Sequence, residues 1–130
     1  MTADMPYVPV SWGELLDKIV ILEIKTERLT SPQARANAAR ELEMLREIAH
    51  PVMVSGQAAA PMARLKRVNQ ALWDIEDRIR DHERTGDFGP GFVELARSVY
   101  RRNDERGALK REINLALGSV LIEEKSYKPY

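Results

Sequence analysis

With 130 residues, 44% of them hydrophobic, the chain is sized for one domain closed around a single core. Its 20 basic and 20 acidic residues cancel, leaving no whole-molecule field to draw a polyanion or an acidic membrane surface. Cysteine is absent, which excludes disulfides and thiolate metal sites and suits a reducing, cytoplasmic setting.

Residues 1–10 hold Pro6 and Pro9, which keep the backbone extended, and Tyr7, Val8 and Val10 are strand formers; an extended arm is expected. Ser11 stands three residues before Glu14, the capping-box spacing that opens a helix. That helix, near 11–30, is apolar almost all round, with Trp12, Leu15, Leu16, Ile19 and Leu22 on one side and Val20, Ile21 and Ile24 extending it. It must be covered on several sides, and Ile21 on the expected wet side predicts a homodimer or larger assembly through this helix. Its longest aliphatic block, Ile19 to Leu22, is too short to span a bilayer. Met1 to Pro6 lacks a basic stretch followed by an apolar run, so neither export nor membrane insertion is expected.

Ser31 followed by Pro32 forms an N-cap and N1 pair for a second helix near 31–50, with Ala38, Leu42, Leu45 and Ala49 at three-and-four spacing. Small residues along its early face favour close antiparallel packing on the first helix. Pro51 and Gly56 then mark 51–60 as a mobile loop, with Val52 and Val54 as the residues to turn inward. Pro61 opens a third helix to about 85, with Leu65, Val68, Leu72, Ile75 and Ile79 as its buried stripe. Gly86 suits a left-handed C-cap, and Gly89 before Pro90 starts a fourth helix that runs to about 118. Residues 119–130 are extended, β-prone at first and tyrosine-containing at the end, and are the segment able to pair with the N-terminal arm. The expected fold is therefore all-α: a four-helix bundle-like single domain over 1–130, whose extended termini can form a small two-stranded element.

Several polar residues break the apolar stripes. On the fourth helix Asn103, Arg106, Lys110 and Asn114 fall between Phe92, Leu95 and Val99 on one side and Ile113 and Leu117 on the other. Glu23 falls among Trp12, Leu16 and Ile19. Glu76 sits beside Leu72 and Ile79, with Asn69, Trp73 and Arg80 continuing that stripe. Buried charges need partners, so Arg106 and Lys110 are expected to meet Glu23 and Glu76 across the bundle. The competing arrangement is a pocket in which Arg106, Lys110 and Arg80 bind an anionic small molecule, Trp73 forms a flat wall, and Asn103, Asn114, Glu23 and Glu76 complete the lining. A third is that the long cationic stems only snorkel over apolar surface.

No metal site follows from Asp74, Glu76 and Asp77, because helical spacing separates Glu76 from the other two and paired Glu-x-x-His ligands are missing. His50 and His82 have no nearby nucleophile in a known arrangement, and the glycines of GDFGPG lack the lysine of a phosphate loop; no cofactor is expected. Arg97, Arg101, Arg102 and Arg111 mark a solvated outer face, interrupted by acids, which does not suit nucleic acid.

The segments PVSWGELLDKIVILEIK, NQALWDIEDRIRDHER, DFGPGFVELARSVYRRNDERGALKREIN and EEKSY together resemble a family of small bacterial proteins of unknown function, over most of the chain. That resemblance implies one domain and carries no activity or catalytic residue with it. Gly107 stands where such a family leads one to expect alanine. In a helix interior glycine costs up to about 1 kcal/mol, so a local kink is expected. A second resemblance, confined to NDERGALKREI, is to one helix of the all-helical chorismate mutases, whose further lysine, arginine, acidic and glutamine positions have no residue-by-residue match here. The functional expectation is a non-catalytic intracellular binding or assembly module; the alternative is an enzyme or sensor for an anionic metabolite.

Overall fold

A computed structural model describes residues 4–130; the expected N-terminal arm is described from residue 4, and its first three residues lie outside. Four helices follow in order: α1 Trp12–Arg28, α2 Pro32–Ser55, α3 Ala59–Thr85 and α4 Pro90–Ala116. The all-α expectation holds, but the two-stranded element does not form among the described residues. The arms have no regular structure, with bends at residues 4–5 and at Val120, and neither residues 4–10 nor 120–122 make a backbone–backbone hydrogen bond among the described residues. Pro6 and Pro9 account for part of this, since neither has an amide to give to a ladder.

The punctuation works largely as read. Ser11 Oγ accepts from the Glu14 amide at 3.2 Å, and Ser31 Oγ accepts from that of Ala34 at 3.3 Å with Pro32 in the first turn. Gly86, at φ 71°, closes α3, and Gly89–Pro90 opens α4. The box at Ser11 is only half of one, because the Glu14 carboxylate turns to Lys110 instead of back to the cap.

The loop expected at 51–60 is mostly helix. α2 runs through Pro51 to Ser55 and ends on Gly56 at φ 74°, and α3 begins two residues before Pro61, so 56–58 alone connect them. A proline inside a helix loses one hydrogen bond and crowds the carbonyl four residues back, a penalty of about 3 kcal/mol. Packing offsets it: Ala49 is fully buried, Val52 lies against the core and Ala58 is buried beyond the turn. Val52 therefore turns inward as expected, but Val54 is 69% exposed.

α1 is the axis of the molecule. It packs against each of the other three helices, and α3 packs along α4. Leu16, Ile19, Val20 and Ile24 are at most 1% exposed, and the first three share a core cluster with Leu65 and Ile113. The cover that an all-round apolar helix requires is thus supplied by the chain itself, and Ile21 is half-buried. α4 runs unbroken through Gly107, with no interruption at the glycine.

Candidate functional site

The polar stripe of α4 faces the N-terminal half of α1, with one contact at each turn. Gly13 lets the helices approach closely enough: a Cβ there would lie 2.4 Å from the Lys110 carbonyl oxygen and 3.0 Å from Asn114 Oδ1. At that contact Asn114 Oδ1 accepts from the Gly13 amide at 2.6 Å, and Ser119 Oγ accepts from the Trp12 amide at 3.2 Å. With Ser11 on Glu14, three of the orphan amides at the start of α1 have side-chain acceptors. Asn114, 1% exposed, therefore caps a neighbouring helix.

One turn back along α4, Lys110 Nζ lies 2.8 Å from Glu14 Oε2 and 2.8 Å from Glu123 Oε2 of the C-terminal segment, and 4.0 Å from Asp17 Oδ2. Burial works against the ammonium, but the hydrogen bonds to Glu123 and Glu14 outweigh it, and its pKa stands above the usual lysine value. Another turn back, the Arg106 guanidinium grips the Asp17 carboxylate: Nε is 3.1 Å from both oxygens and Nη2 is 2.5 Å from Oδ2. That hydrogen-bonded pairing raises the arginine pKa further against the opposing effect of burial. Asp17 is fully buried, and its Oδ1 also accepts from Asn69 Nδ2 at 2.9 Å. Asn69 donates to the Leu65 carbonyl as well. Among the described residues no buried side-chain nitrogen or oxygen lacks a partner.

The expected partners were wrong in identity. Glu23 pairs with Arg46 of α2 at 2.6 Å and with Lys66 of α3 at 3.6 Å, away from the α4 cations. Glu76 is exposed and, among the described residues, pairs with Arg80 alone, one turn on, at 3.6 Å, so Arg80 is not part of the cluster either. Trp73 is half-buried, with the Arg28 guanidinium 5.9 Å over its ring. Arg106, Lys110 and Asn114 do come together, joined by Asp17, Glu14, Glu123 and Asn69. Asp17 was legible, since Gly13, Asp17, Val20 and Ile24 share one stripe at three-and-four spacing, but an all-round apolar helix offers no wet side to show it as misplaced. Glu123 carried no such signal, because it arrives from a segment without regular structure.

Beyond Arg106 the stripe continues to half-buried Asn103, and opposite it α1 presents Ile21 and Ile24. A cleft of about 490 Å³ opens there, lined also by Lys25 of α1, by Asn69, Leu72, Trp73, Glu76 and Asp77 of α3, and by Arg106. Four of the eight expected ligand residues border it. Of the two cations that line it, Arg106 is committed to Asp17 and Lys25 is exposed at its edge.

The C-terminal segment runs back along α4. Glu124 pairs with Arg111 at 3.3 Å, the Lys125 stem crosses Gly107, and the Tyr130 hydroxyl donates to Asp104 Oδ2 at 2.7 Å with its ring edge-on to Tyr100. The Lys110 ammonium bonded to Glu123 pulls that carboxyl below the ordinary glutamate range. A depressed carboxyl contributes stability above its unfolded value and loses it as pH falls through the folded one; Lys110, raised, contributes below the ordinary lysine value and loses it as pH rises through its own. Titration by NMR should place the Glu123 midpoint below that of a free glutamate, and Lys110→Met should return it to the ordinary range. A midpoint at or above the ordinary one in the unaltered chain would remove this link.

Similarity searches return no match among the curated proteins and none among the solved structures, so no relative lends the cluster a chemistry. A family model, in contrast, matches residues 6–130, which include every residue of the cluster. The chain belongs to that family, described as a family of unknown function, DUF6165.

Proposed function

We propose that this protein is a non-catalytic binding or assembly module in an intracellular setting, acting through its surfaces and holding no metabolite between its helices. One observation carries the reading: the two inner cations are neutralised by three carboxylates, Asp17, Glu14 and Glu123, at hydrogen-bonding distance. An anionic ligand would have to displace a fully buried carboxylate or enter a cluster whose balance is already negative. The arginines on the outer face of α4 are likewise paired, Arg97 and Arg101 with Glu94 and Arg102 with Glu105. The absence of cysteine fits the setting.

The competing reading, an enzyme or sensor for an anionic metabolite, makes the opposite prediction in a thermal-shift screen of phosphorylated and carboxylated compounds. Tight binding to the folded state alone raises stability by mass action, by about 2.7 kcal/mol at a hundredfold excess over Kd. The module reading expects a flat screen. A compound that shifts the unaltered protein but not Arg106→Lys would establish the metabolite site and end the module reading.

A further inference from the structure

The turn after α4 is firmly rooted. The Ser119 amide donates to the Asn114 carbonyl at 2.8 Å, and the Ser119 hydroxyl accepts from the Trp12 amide and donates to the Leu121 carbonyl at 2.6 Å. Beyond that root, residues 122–130 lie along α4 with no backbone–backbone hydrogen bond among the described residues, and every one of them is exposed. Side chains hold this strap at its two ends. Glu123 and Glu124 sit on Lys110 and Arg111 at 2.8 and 3.3 Å, and the Tyr130 hydroxyl donates to Asp104 at 2.7 Å with its ring centred 4.9 Å from that of Tyr100. Between the ends the fit is loose: clefts of about 300 and 720 Å³ separate strap from helix, the first over Gly107 and the second over Tyr100.

We propose that residues 122–130 are a releasable strap, an internal stand-in that fills an α4 docking groove for an extended, acid-bearing segment of another protein. The proposal rests on the module reading and names its surface and the chemistry of its partner. Release strands no buried charge, because Lys110 keeps Glu14 at 2.8 Å and Asp17 at 4.0 Å. The other holding contacts lie at the surface, where water screens them and each contributes little, so the strap opens at a smaller cost than the bundle unfolds. Opening uncovers two adjacent cations, Lys110 and Arg111, each with one carboxylate fewer, then bare helix at Gly107, then Tyr100 and Asp104. That floor takes neighbouring acids at one end and an aromatic hydroxyl at the other, the Glu-Glu-to-Tyr pattern that the strap carries. Asp104 at the far end opposes a uniformly anionic strand such as nucleic acid. A second copy brings the same segment with no better fit, and it competes with a tethered one whose effective concentration is about millimolar. The segment that displaces the strap therefore belongs to a different chain.

Fluorescence anisotropy of a labelled peptide with the sequence of residues 122–130 tests this on the full chain. The unaltered protein should bind it weakly, because its own strap fills the groove. Glu123→Gln with Glu124→Gln loosens the strap from outside the core; this chain should keep its helical circular dichroism and bind the peptide at least tenfold more tightly. Adding Arg111→Gln should remove that gain, as should replacing both acids of the peptide by glutamine. Tyr130→Phe, which frees the other end without touching the Lys110 cluster, should raise affinity by a smaller factor. Equal binding to the unaltered and loosened chains, or binding to neither, overturns the proposal. Loss of helical structure in the loosened chain also overturns it, since the strap would then be part of the fold. An unaltered chain that forms a dimer in sedimentation, lost on Glu123→Gln with Glu124→Gln, assigns the groove to a second copy and overturns the choice of partner. Failure here leaves the module reading standing if the metabolite screen is flat; a positive screen removes that reading whatever the peptide shows.

Discussion

Asp17→Ala is expected to lower the unfolding free energy by about 3 kcal/mol, at the lower end of the range for breaking a buried ion pair by removing one partner. The loss falls on the other side of the pair. Arg106 keeps 31% of its side chain exposed and can turn part of its charge to water, which is why the low end applies. Asn69 loses one acceptor but keeps the Leu65 carbonyl. The better helix propensity of alanine returns no more than about 0.7 kcal/mol, so the sign is not in question. Urea denaturation of the variant and the unaltered protein, compared at equal m-value, measures the difference. Arg106→Ala should be destabilising too, since it leaves a fully buried carboxylate with Asn69 and a lysine 4.0 Å away. A residue that served only a ligand would be removed without loss of stability.

The second large effect is a pair of glycine replacements with opposite signs. Gly13→Ala puts a methyl 2.4 Å from the Lys110 carbonyl oxygen, a backbone atom that cannot swing aside. α1 and α4 would have to separate there, lengthening the Asn114 cap and the Lys110–Glu14 contact together. Overpacking of this kind typically costs about 1–3 kcal/mol and outweighs the gain of up to about 1 kcal/mol from replacing a helical glycine. Gly107→Ala, on the same α4, meets only the flexible Lys125 stem at 3.6 Å, an ordinary contact. There the propensity gain stands alone, and the variant should be more stable by up to about 1 kcal/mol. Thermal unfolding of the two variants side by side shows whether the α1–α4 contact is as close as described.

Much of the fold was legible where local chemistry and tertiary packing agree. Ser11, the Ser31–Pro32 pair, Gly86 and Gly89–Pro90 each act on the backbone within a few residues, and each marks a boundary as expected. Pro51 misled because its local penalty was outweighed by burial of Ala49, Val52 and Ala58 against other parts of the chain, which is a long-range effect. The candidate site divided along the same line. That Arg106, Lys110 and Asn114 turn inward follows from the periodicity of α4, but which acids meet them depends on how α1 and α4 are set in register. Gly13 fixes that register through the absence of a side chain, and no apolar pattern records an absence. Glu123 depends in turn on Gly118, whose φ of 61° turns the chain back along α4.

The central claim is that the inner polar seam is a closed structural joint between α1 and α4. A double-mutant cycle on Asp17 and Arg106 addresses it most directly, with Asp17→Leu, Arg106→Met and the two combined, each measured by equilibrium unfolding. A buried pair replaced on both sides by apolar residues of similar size is often neutral, while each single replacement strands a charge. The double variant is therefore expected to be more stable than either single variant. Losses that simply add would contradict the account, because they would show that Arg106 does not depend on Asp17.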